Sequence, residues 1–568
     1  MTTPNPGLRI VDPERLEPEL SRGLRSLEEA EVVRRIWERD GTVWKPTDRE
    51  ISNRLGWLSS PSAAEGIIPD LEAFAASVRG LGLTRAVVLG MGGSSLAPEV
   101  YARIFGPEAG SLELDVLDTT EPGTVAAAAA RFAVDKTLFV VSSKSGTTAE
   151  VLALFSVFYD RARMELGTRH AGSRFVAVTD PGTPLEILAH ERRFRRVFNG
   201  QPDIGGRFSA LSVFGLLPAA LKSIDLRRLL ASARDMSASC RLAKASENPG
   251  ALLGTILGTA AIKGMDKLIL LMPLRFRPLA SWLEQLIAES TGKEGRGIVP
   301  VVEDRPGFAE SYGRDRLFVE IGPPEASAPK QVIRAPEGSG SPLVRLAFDD
   351  PYGLAGQFFL WEFATAVAAH FMKINPFDQP DVESTKKRTR EVLAFAGGGR
   401  GMAPGAEPPS FAGGLRIDGA DRTEDPRDAV TRFLSGRREG DYLAILAYLP
   451  RTAKVEGLLS GLASGLRFET GLPATVGFGP RYLHSTGQLH KGDGNRGLFL
   501  MLVATDLPEV GIPEVPGVTR PAPDLGGLFR AQAKGDALAL SEKGRRVLTV
   551  ELSSPVETGI ASLSSFLE

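Results

Sequence analysis

Cysteine is nearly absent from this sequence, since Cys240 is the only one among 568 residues. A single cysteine forms neither an intrachain disulfide nor a cysteine-based metal site, and this usage favours the reducing cytoplasm. Histidine is also scarce, with five in the chain, at positions 170, 190, 370, 484 and 490. None of them forms a histidine/carboxylate cluster with the spacing of metal ligands. We therefore expect a cytoplasmic protein without a bound metal ion. Separately, we predict no other cofactor.

Excess charge and long apolar runs are missing too. The formal net charge is -2 and the pI is near 6.3, so the chain has no global basic field that would attract nucleic acid or anionic lipid. The N-terminal region has no apolar core after a basic start, and runs such as KLILLMPL and GLFLMLVA are too short to span a bilayer. We expect no nucleic-acid partner, no membrane partner and no secretion.

The composition that is present, 43% apolar and 24% charged, is that of a globular chain with about three or four domains. Residues 1–60 have a polar, helical pattern with three tryptophans and predict an N-terminal cap. Short β-branched runs then alternate with amphipathic stretches, which predicts an α/β fold with doubly wound parallel sheets in two domains, 61–239 and 240–395. Residues 396–426 are rich in glycine and proline and predict a linker. Residues 427–568 predict a C-terminal α/β module.

A glycine-rich turn follows the first strand of the first predicted domain. In AVVLGMGGSSLAPEV, Gly92, Gly93 and Ser94 lie between a strand and a helix, where backbone amides and the helix dipole favour an anion. The same pattern also occurs in turns that serve only packing, and it is similar to a dinucleotide site. Ser95 replaces the third glycine of GxGxxG, but aspartates further along keep a nicotinamide site open as an alternative.

A second loop narrows this choice. The segment TLFVVSSKSGTTAEVLALF places several hydroxyl groups, a lysine and helix N-terminal amides together. A helix cap would explain one or two of these hydroxyls but not the whole set. The spacing GxxxxGK[ST] is absent, which disfavours a kinase or an ATPase. We predict a phosphomonoester cradle formed by Ser143, Lys144, Ser145, Thr147 and Thr148.

Three further motifs follow in order: GGRFS at 205–209, ESTGK at 289–293 and INPFDQPDVESTKK at 374–387. Together with both loops they resemble the sugar isomerase (SIS) domain, and within it the phosphoglucose isomerase family with its segments GGR[FY]S, ESxGK and INxxxQxGVExGK. The resemblance covers about residues 60–390. It implies two SIS-type domains, interconversion of glucose 6-phosphate and fructose 6-phosphate in glycolysis and gluconeogenesis, and a small sugar phosphate as partner. It also implies a homodimer, although the extra C-terminal module could replace subunit contacts.

The resemblance gives roles to residues whose chemistry suits them. A proton moves between C1 and C2 of a sugar by a metal-assisted hydride shift or through a cis-enediol, which needs a carboxylate base and cationic support. The lack of metal-ligand spacing favours the enediol. Glu289 is then the expected base, Arg207 stabilises the enediolate, and Lys386 assists ring opening, although a one-residue shift would exchange it with Lys387. The structural alternatives are a surface carboxylate for Glu289, an ordinary ion pair for Arg207 and a solvated basic helix for Lys386.

The ring-opening histidine of this family is displaced here. The shorter bacterial members place it in a DLHSxGQ segment between the ESxGK and lysine motifs, where this chain has no histidine between 191 and 369. YLHSTGQLHKGDGN follows the lysine motif instead, and with WKPTDREISNRLGWL at 44–58 it resembles the isomerase half of transaldolase–phosphoglucose isomerase fusions. No transaldolase barrel fits before that segment. His484 is the expected residue, with His490 second and His370, in an apolar stretch, third. A purely structural loop is the alternative for this motif.

Other functions stay open at this point. A related isomerase would act on mannose 6-phosphate or a pentose phosphate, and pocket size would decide between them. A non-catalytic sugar-phosphate sensor would keep the second loop, but the presence of Glu289, Arg207 and Lys386 argues against it. A nicotinamide dehydrogenase is disfavoured by the broken glycine pattern. The sequence does not tell whether site residues cross a subunit boundary.

Overall fold

The computed structural model describes residues 7–11, 13–108, 110–303, 307, 312–323, 335, 340–348, 350–397, 413–418 and 425–567. In this part the chain forms three five-stranded sheets with helices packed against them. The strands are β1 (Leu8–Val11), β2 (Arg85–Gly90), β3 (Glu113–Leu117), β4 (Thr137–Ser142), β5 (Phe175–Thr179), β6 (Arg196–Asn199), β7 (Lys267–Leu271), β8 (Val299–Val302), β9 (Arg316–Gly322), β10 (Leu343–Ala347), β11 (Leu415–Ile417), β12 (Tyr442–Tyr448), β13 (Ala474–Phe478), β14 (Gly497–Ala504) and β15 (Arg546–Leu552). The helices are α1 (Glu19–Glu29), α2 (Val32–Trp37), α3 (Ser60–Ala63), α4 (Ile68–Gly80), α5 (Leu96–Ile104), α6 (Pro122–Arg131), α7 (Ala149–Leu166), α8 (Thr168–Ala171), α9 (Pro184–Glu191), α10 (Val213–Leu221), α11 (Leu226–Ser239), α12 (Pro249–Ile262), α13 (Pro278–Thr291), α14 (Leu354–Met372), α15 (Val382–Gly397), α16 (Pro426–Ser435), α17 (Ala453–Thr470), α18 (Gly487–Gly492), α19 (Leu525–Glu542) and α20 (Val556–Ser565).

The first sheet has the strand order β3-β2-β4-β5-β6, and all its neighbours are parallel. Strands β2 and β4 are buried along almost their whole length, as expected for apolar runs covered by helices on both faces. The chain leaves β2 towards β3 on one side and later returns to β4 on the other. Ligands of open α/β sheets bind at such a reversal, outside the carboxyl ends of the strands. Both predicted phosphate loops follow these two strands.

The second sheet has the order β1-β10-β9-β7-β8, in which β1 is antiparallel to β10 and the other pairs are parallel. Strand β1 comes from the segment that we predicted as a helical cap. The three tryptophans of that segment pack against phenylalanine rings from other parts of the chain. Trp57 is fully buried, the indole of Trp44 donates to the Ala366 carbonyl at 2.7 Å, and the indole of Trp37 donates to the Cys240 carbonyl at 3.0 Å.

The third sheet, in the C-terminal module, has the order β11-β15-β14-β12-β13, and only the pair of β11 with β15 is antiparallel. The expectation of an α/β fold is confirmed. The first sheet is wholly parallel as predicted, whereas the second and third sheets are mostly parallel and each has one antiparallel edge strand. Most of the predicted linker, residues 398–412 and 419–424, lies outside the described residues. No helix of the described chain combines the length and the apolar character that a membrane span needs.

The C-terminal module packs against both other sheets. Five of its apolar residues join the core on one face of the first sheet: Ile512, Val515, Ala522, Leu525 and Leu528. The apolar face formed by β12, β14 and α19 shares a second core with β7, β8 and β9. The module also reaches the segments that follow β2 and β4, because His484 approaches Gly92 and contacts Glu150.

Candidate active site

Gly92 and Gly93 lie where the two large domains and the C-terminal module meet. A Cβ atom on Gly93 would be 1.9 Å from the carbonyl oxygen of Gly206. Gly92 has a φ of +54°, and a Cβ atom there would lie 2.9 Å from both the side-chain nitrogen of Gln285 and the carbonyl oxygen of His484. Only glycine allows so close an approach of three chain segments. Ser94, also a predicted phosphate ligand, is buried beside them.

Arg207 and Glu289 form a close ion pair at this junction. Arg207 Nη1 lies 3.1 Å from Glu289 Oε1, and the arginine side chain is only 3% exposed. Its guanidinium also donates to Ser290 Oγ at 2.8 Å, to Gln379 Oε1 at 3.0 Å and to the carbonyl of Asp378 at 3.0 Å. Burial lowers the pKa of Arg207, and the carboxylate of Glu289 opposes this effect. The structure thus brings the predicted base and the predicted cation together.

A second buried cation, Lys293, stands beside this pair. Its ammonium group donates to Asp378 Oδ1 at 2.8 Å, and its side chain is 1% exposed. Burial and the charge of Arg207 lower the pKa of Lys293 to about 8, although Asp378 and Glu289 act in the opposite direction. Lys293 ends the ESTGK motif, but we assigned it no role from sequence. The base therefore faces two positive groups.

His484 reaches the same site from the C-terminal module. Its Nε2 lies 2.9 Å from Glu150 Oε1, in the first turn of α7. That carboxylate oxygen also accepts a hydrogen bond from Gln532 Nε2 at 2.7 Å. Burial alone would lower the pKa of His484, but the Glu150 carboxylate outweighs it and the pKa is raised. For Glu150 the directions are opposite: burial alone would raise the pKa of this carboxyl, but His484 outweighs burial and the pKa is lowered.

Gln285 links the histidine segment to the base. Its side-chain nitrogen donates to Glu289 Oε2 at 3.0 Å and to the carbonyl oxygen of His484 at 2.8 Å. Gln285 and Glu289 are four positions apart on α13 and so lie on one face of that helix. A carboxylate, a guanidinium and an imidazole from three parts of the chain are therefore held in one site.

The predicted phosphate loop adjoins this site at the start of α7. Ser143 Oγ lies 2.9 Å from Thr148 Oγ1, and Ser145 Oγ lies 3.0 Å from Thr147 Oγ1. The ammonium group of Lys144 pairs with Asp180 and donates to the carbonyl of Gln201 at 2.9 Å. Burial lowers the pKa of this lysine, and Asp180 opposes the change. In each pair one hydroxyl donates to the other, which leaves the second hydroxyl hydrogen available for another acceptor.

Lys386 occupies a more peripheral place than we predicted. Its side chain is 56% exposed, and its ammonium group pairs with Glu383 Oε1 at 2.7 Å on α15. Its charge nevertheless acts on the site, because it lowers the pKa of Glu150 and counteracts the rise in the pKa of His484. The structure places Lys386 near the histidine but not in contact with it.

Of the two other candidate histidines, His490 is packed in the protein interior and His370 is partly buried. His490 lies between the rings of Tyr482 and Phe499, with ring centroids 5.8 and 5.0 Å away, and burial holds its pKa well below the ordinary value. His370, on α14, lies with its Nδ1 2.7 Å from the Val43 carbonyl. Of the three candidates, His484 is the one that contacts a carboxylate of the site.

Sequence reasoning did not single out four polar residues of this site: Glu150, Gln285, Lys293 and Gln532. Three of them had a signal that could have found them. Glu150 follows the hydroxyl loop, Gln285 precedes the base by one helical turn, and Lys293 belongs to a recognised motif. Gln532 had none, because α19 is remote from the other site residues in sequence. Among the residues that the structure describes, no group of three or more His, Cys, Asp or Glu side chains is arranged to hold a metal ion.

Comparison with known proteins gives consistent matches. Residues 76–301 match the family model described as phosphoglucose isomerase. The glucose-6-phosphate isomerase of Rubrobacter xylanophilus is 28% identical over 425 residues, which are 65% of this chain and 95% of that protein. The corresponding protein of Geobacter sp. strain M21 is 28% identical over 441 residues, 68% of this chain and 81% of that one.

Solved structures extend this likeness to the fold. A hypothetical protein from Thermus thermophilus has a TM-score of 0.58 at 26% sequence identity, over 68% of this chain and 100% of that chain. A glucose-6-phosphate isomerase from Chlamydia trachomatis has a TM-score of 0.56 at 19% identity, over 68% of this chain and 87% of that chain. At the latter identity the likeness concerns the fold alone.

Proposed function

This chain belongs to the phosphoglucose isomerase family, and from that premise we propose that it interconverts glucose 6-phosphate and fructose 6-phosphate through a cis-enediol. The observation that carries this proposal is the contact between Glu289 and Arg207, 3.1 Å apart at a junction that His484 also reaches. A carboxylate beside a fixed cation is what proton transfer next to a carbonyl group needs.

Glu289 is the proposed base for the isomerisation step. In the open-chain aldose it removes the proton from C2, and the C1 carbonyl becomes the enediolate oxygen. A proton then passes from the C2 hydroxyl to that oxygen, and Glu289 returns its own proton to C1 while C2 becomes the carbonyl carbon. Arg207 is fixed by several acceptors before the reaction, so it can stabilise the developing negative charge without reorganising. Lys293 adds a second positive charge on the same side.

His484 is the proposed group for ring opening. The imidazole, hydrogen-bonded to Glu150, has a raised pKa and would protonate the ring oxygen while the C1–O5 bond breaks and the C1 hydroxyl releases its proton to water. The carboxylate fixes the orientation of the ring and stabilises its charged form. Lys386, whose charge reaches this pair, is proposed to assist at the same step.

The substrate phosphate is proposed to bind at the start of α7, on Ser143, Lys144, Ser145, Thr147 and Thr148. The helix N-terminus and its backbone amides favour an anion there. Gly92, Gly93 and Ser94 would line the adjoining side. We further propose a cytoplasmic location and a homodimer.

A coupled assay of fructose 6-phosphate conversion, with a chelator present, tests this function. We expect Glu289→Gln to lower kcat by about 10²–10⁴-fold, because the amide cannot accept the proton. Glu294→Gln is the matched control, since that carboxylate lies just after the same helix and pairs at the surface with Lys45. An inactive wild type, or a Glu289→Gln variant as active as the control, would refute the proposal.

A further inference from the structure

Arg481 is a buried arginine that joins the C-terminal module to the first domain. It begins the 3-10 turn Arg481–His484, which follows β13 and ends at the proposed ring-opening histidine. Its side chain is 12% exposed, and its Nη1 lies 3.1 Å from Asp118 Oδ2. It also pairs with Glu99 on α5. One turn of the module is therefore held by two carboxylates of the first domain.

The same cluster extends to the glycine loop. Ser95 Oγ lies 3.1 Å from Asp118 Oδ2 and 3.1 Å from the carbonyl oxygen of Gly92. Gly92 in turn approaches the backbone of His484, where its missing side chain leaves room. Arg481 is thus tied through Asp118 and Ser95 to the loop that adjoins the histidine.

Each charged group in this cluster needs its oppositely charged partner, because the groups are largely buried. Burial alone would lower the pKa of Arg481, but the carboxylates of Asp118 and Glu99 raise it, so the guanidinium stays charged. A buried ion pair of this kind adds little net stability, whereas removal of one partner leaves an uncompensated charge. Its best-supported use is to select one arrangement of the chain over others.

We propose that Arg481 is a positioning residue, which fixes His484 against Glu150 and beside the glycine loop by pairing with Asp118 and Glu99. This inference rests on the proposed function, since it concerns the histidine of that reaction. Arg481 lies outside the proposed group of reacting residues and acts through the turn that it begins.

Arg451 offers a matched comparison within the same cluster. It lies on the connection between β12 and α17, and it pairs with Glu99 Oε1 at 3.2 Å and with Glu456 Oε1 at 2.7 Å. Arg451→Gln therefore removes a positive charge from the same carboxylate without touching the histidine turn. Any effect that comes only from unpairing Glu99 should appear in this variant as well.

The test compares wild type, Arg481→Gln, Arg481→Lys and Arg451→Gln. Exchange ³¹P NMR measures the enzyme-catalysed interconversion of glucose 6-phosphate anomers, and the coupled assay measures isomerisation. We expect Arg481→Gln to slow anomer interconversion by about tenfold or more with little change in KM, since a displacement of about 1 Å can cost 10²-fold. Arg481→Lys should recover part of the loss, and Arg451→Gln should stay within about threefold of wild type.

A readout independent of turnover is the titration of His484 itself, followed by its ring Cε1–H resonance. The ionisable groups that face this ring are Glu150, Lys386 and Glu289. If Arg481→Gln displaces the turn, the Glu150 contact weakens and the pKa of His484 falls relative to wild type and Arg451→Gln.

Wild-type anomer interconversion in Arg481→Gln, or an equal loss in Arg451→Gln, would overturn the proposal. Should Arg481→Gln fail to fold, Asp118→Asn replaces it under the same criteria, because it weakens the same contact from the opposite side. If the wild type showed no isomerisation, the proposed function would fail, and the His484 titration would still decide whether Arg481 positions that ring.

Discussion

At the scale of single residues, Lys293 shows how burial tunes a charge next to the proposed base. Its ammonium group is almost fully enclosed, with Arg207 on one side and Asp378 as its hydrogen-bond partner. Burial and the neighbouring arginine bring its pKa down to about 8. The site therefore contains a positive charge that is lost in mildly alkaline solution.

This gives a prediction for the pH dependence of the reaction. As pH rises through about 8, Lys293 loses its proton and no longer offsets the charge of the enediolate, so kcat/KM should fall. Lys293→Arg should move that fall to higher pH, because a guanidinium keeps its charge there. The control is Lys45→Arg at the surface pair with Glu294. If kcat/KM fell over the same alkaline pH range in wild type and Lys293→Arg, the prediction would be contradicted.

Site residues differ in how far sequence could identify them. Arg207 and Glu289 stand in motifs whose residue types fit the chemistry, and the structure places them in contact. Lys386 was identified in the same way, yet its side chain points to a surface partner. A motif gives the position of a residue along the chain but not the direction of its side chain. For Lys386 that direction depends on the residues that α15 contacts in the folded protein.

At the scale of elements, the apolar strands in the middle of the sheets could be predicted, whereas the short edge strands β1 and β11 could not. Strands β2, β4, β7, β12 and β14 contain continuous apolar runs in the sequence, as buried parallel strands do. Strands β1 and β11 have four and three residues, too few to show a periodicity. Their antiparallel pairing arises from contacts with distant strands.

The glycine loop gives a prediction at this scale. Gly93→Ala would place a methyl group 1.9 Å from the Gly206 carbonyl, so the loop and the Arg207 turn must separate. Overpacking of this kind costs about 1–3 kcal/mol, and activity should fall with it. Gly66→Ala is the control, since a Cβ atom there has no neighbour within 4 Å. Thermal unfolding and the coupled assay measure both effects, and equal behaviour of the two variants would contradict this account.

At the scale of the whole molecule, the C-terminal module completes the site within one chain. The sequence left open whether the histidine comes from its own subunit or from a partner, because segments so far apart along the chain give no local signal. In the single chain His484 and Gln532 both contact Glu150, so we expect the histidine to come from its own subunit.

A mixing experiment tests this arrangement. Glu289→Gln and His484→Ala chains, unfolded together and refolded as a mixture, should show no more activity than the average of the two variants refolded alone. Each chain would then lack one group of its own site. Recovery of substantial activity in the mixture would mean that base and histidine can come from different subunits. The wild type, treated in the same way, controls for the yield of refolding.

The position of His484 in the chain also has a consequence for biosynthesis. Synthesis proceeds from the N-terminus and domains fold largely in that order, so the first two sheets, with Arg207 and Glu289, are made well before β13 and its turn. A nascent chain at that stage already holds the proposed base and its arginine but lacks His484, the proposed ring-opening histidine. The chain would then become active only when the third sheet packs against the other two. A ribosome-bound chain would stay inactive until then.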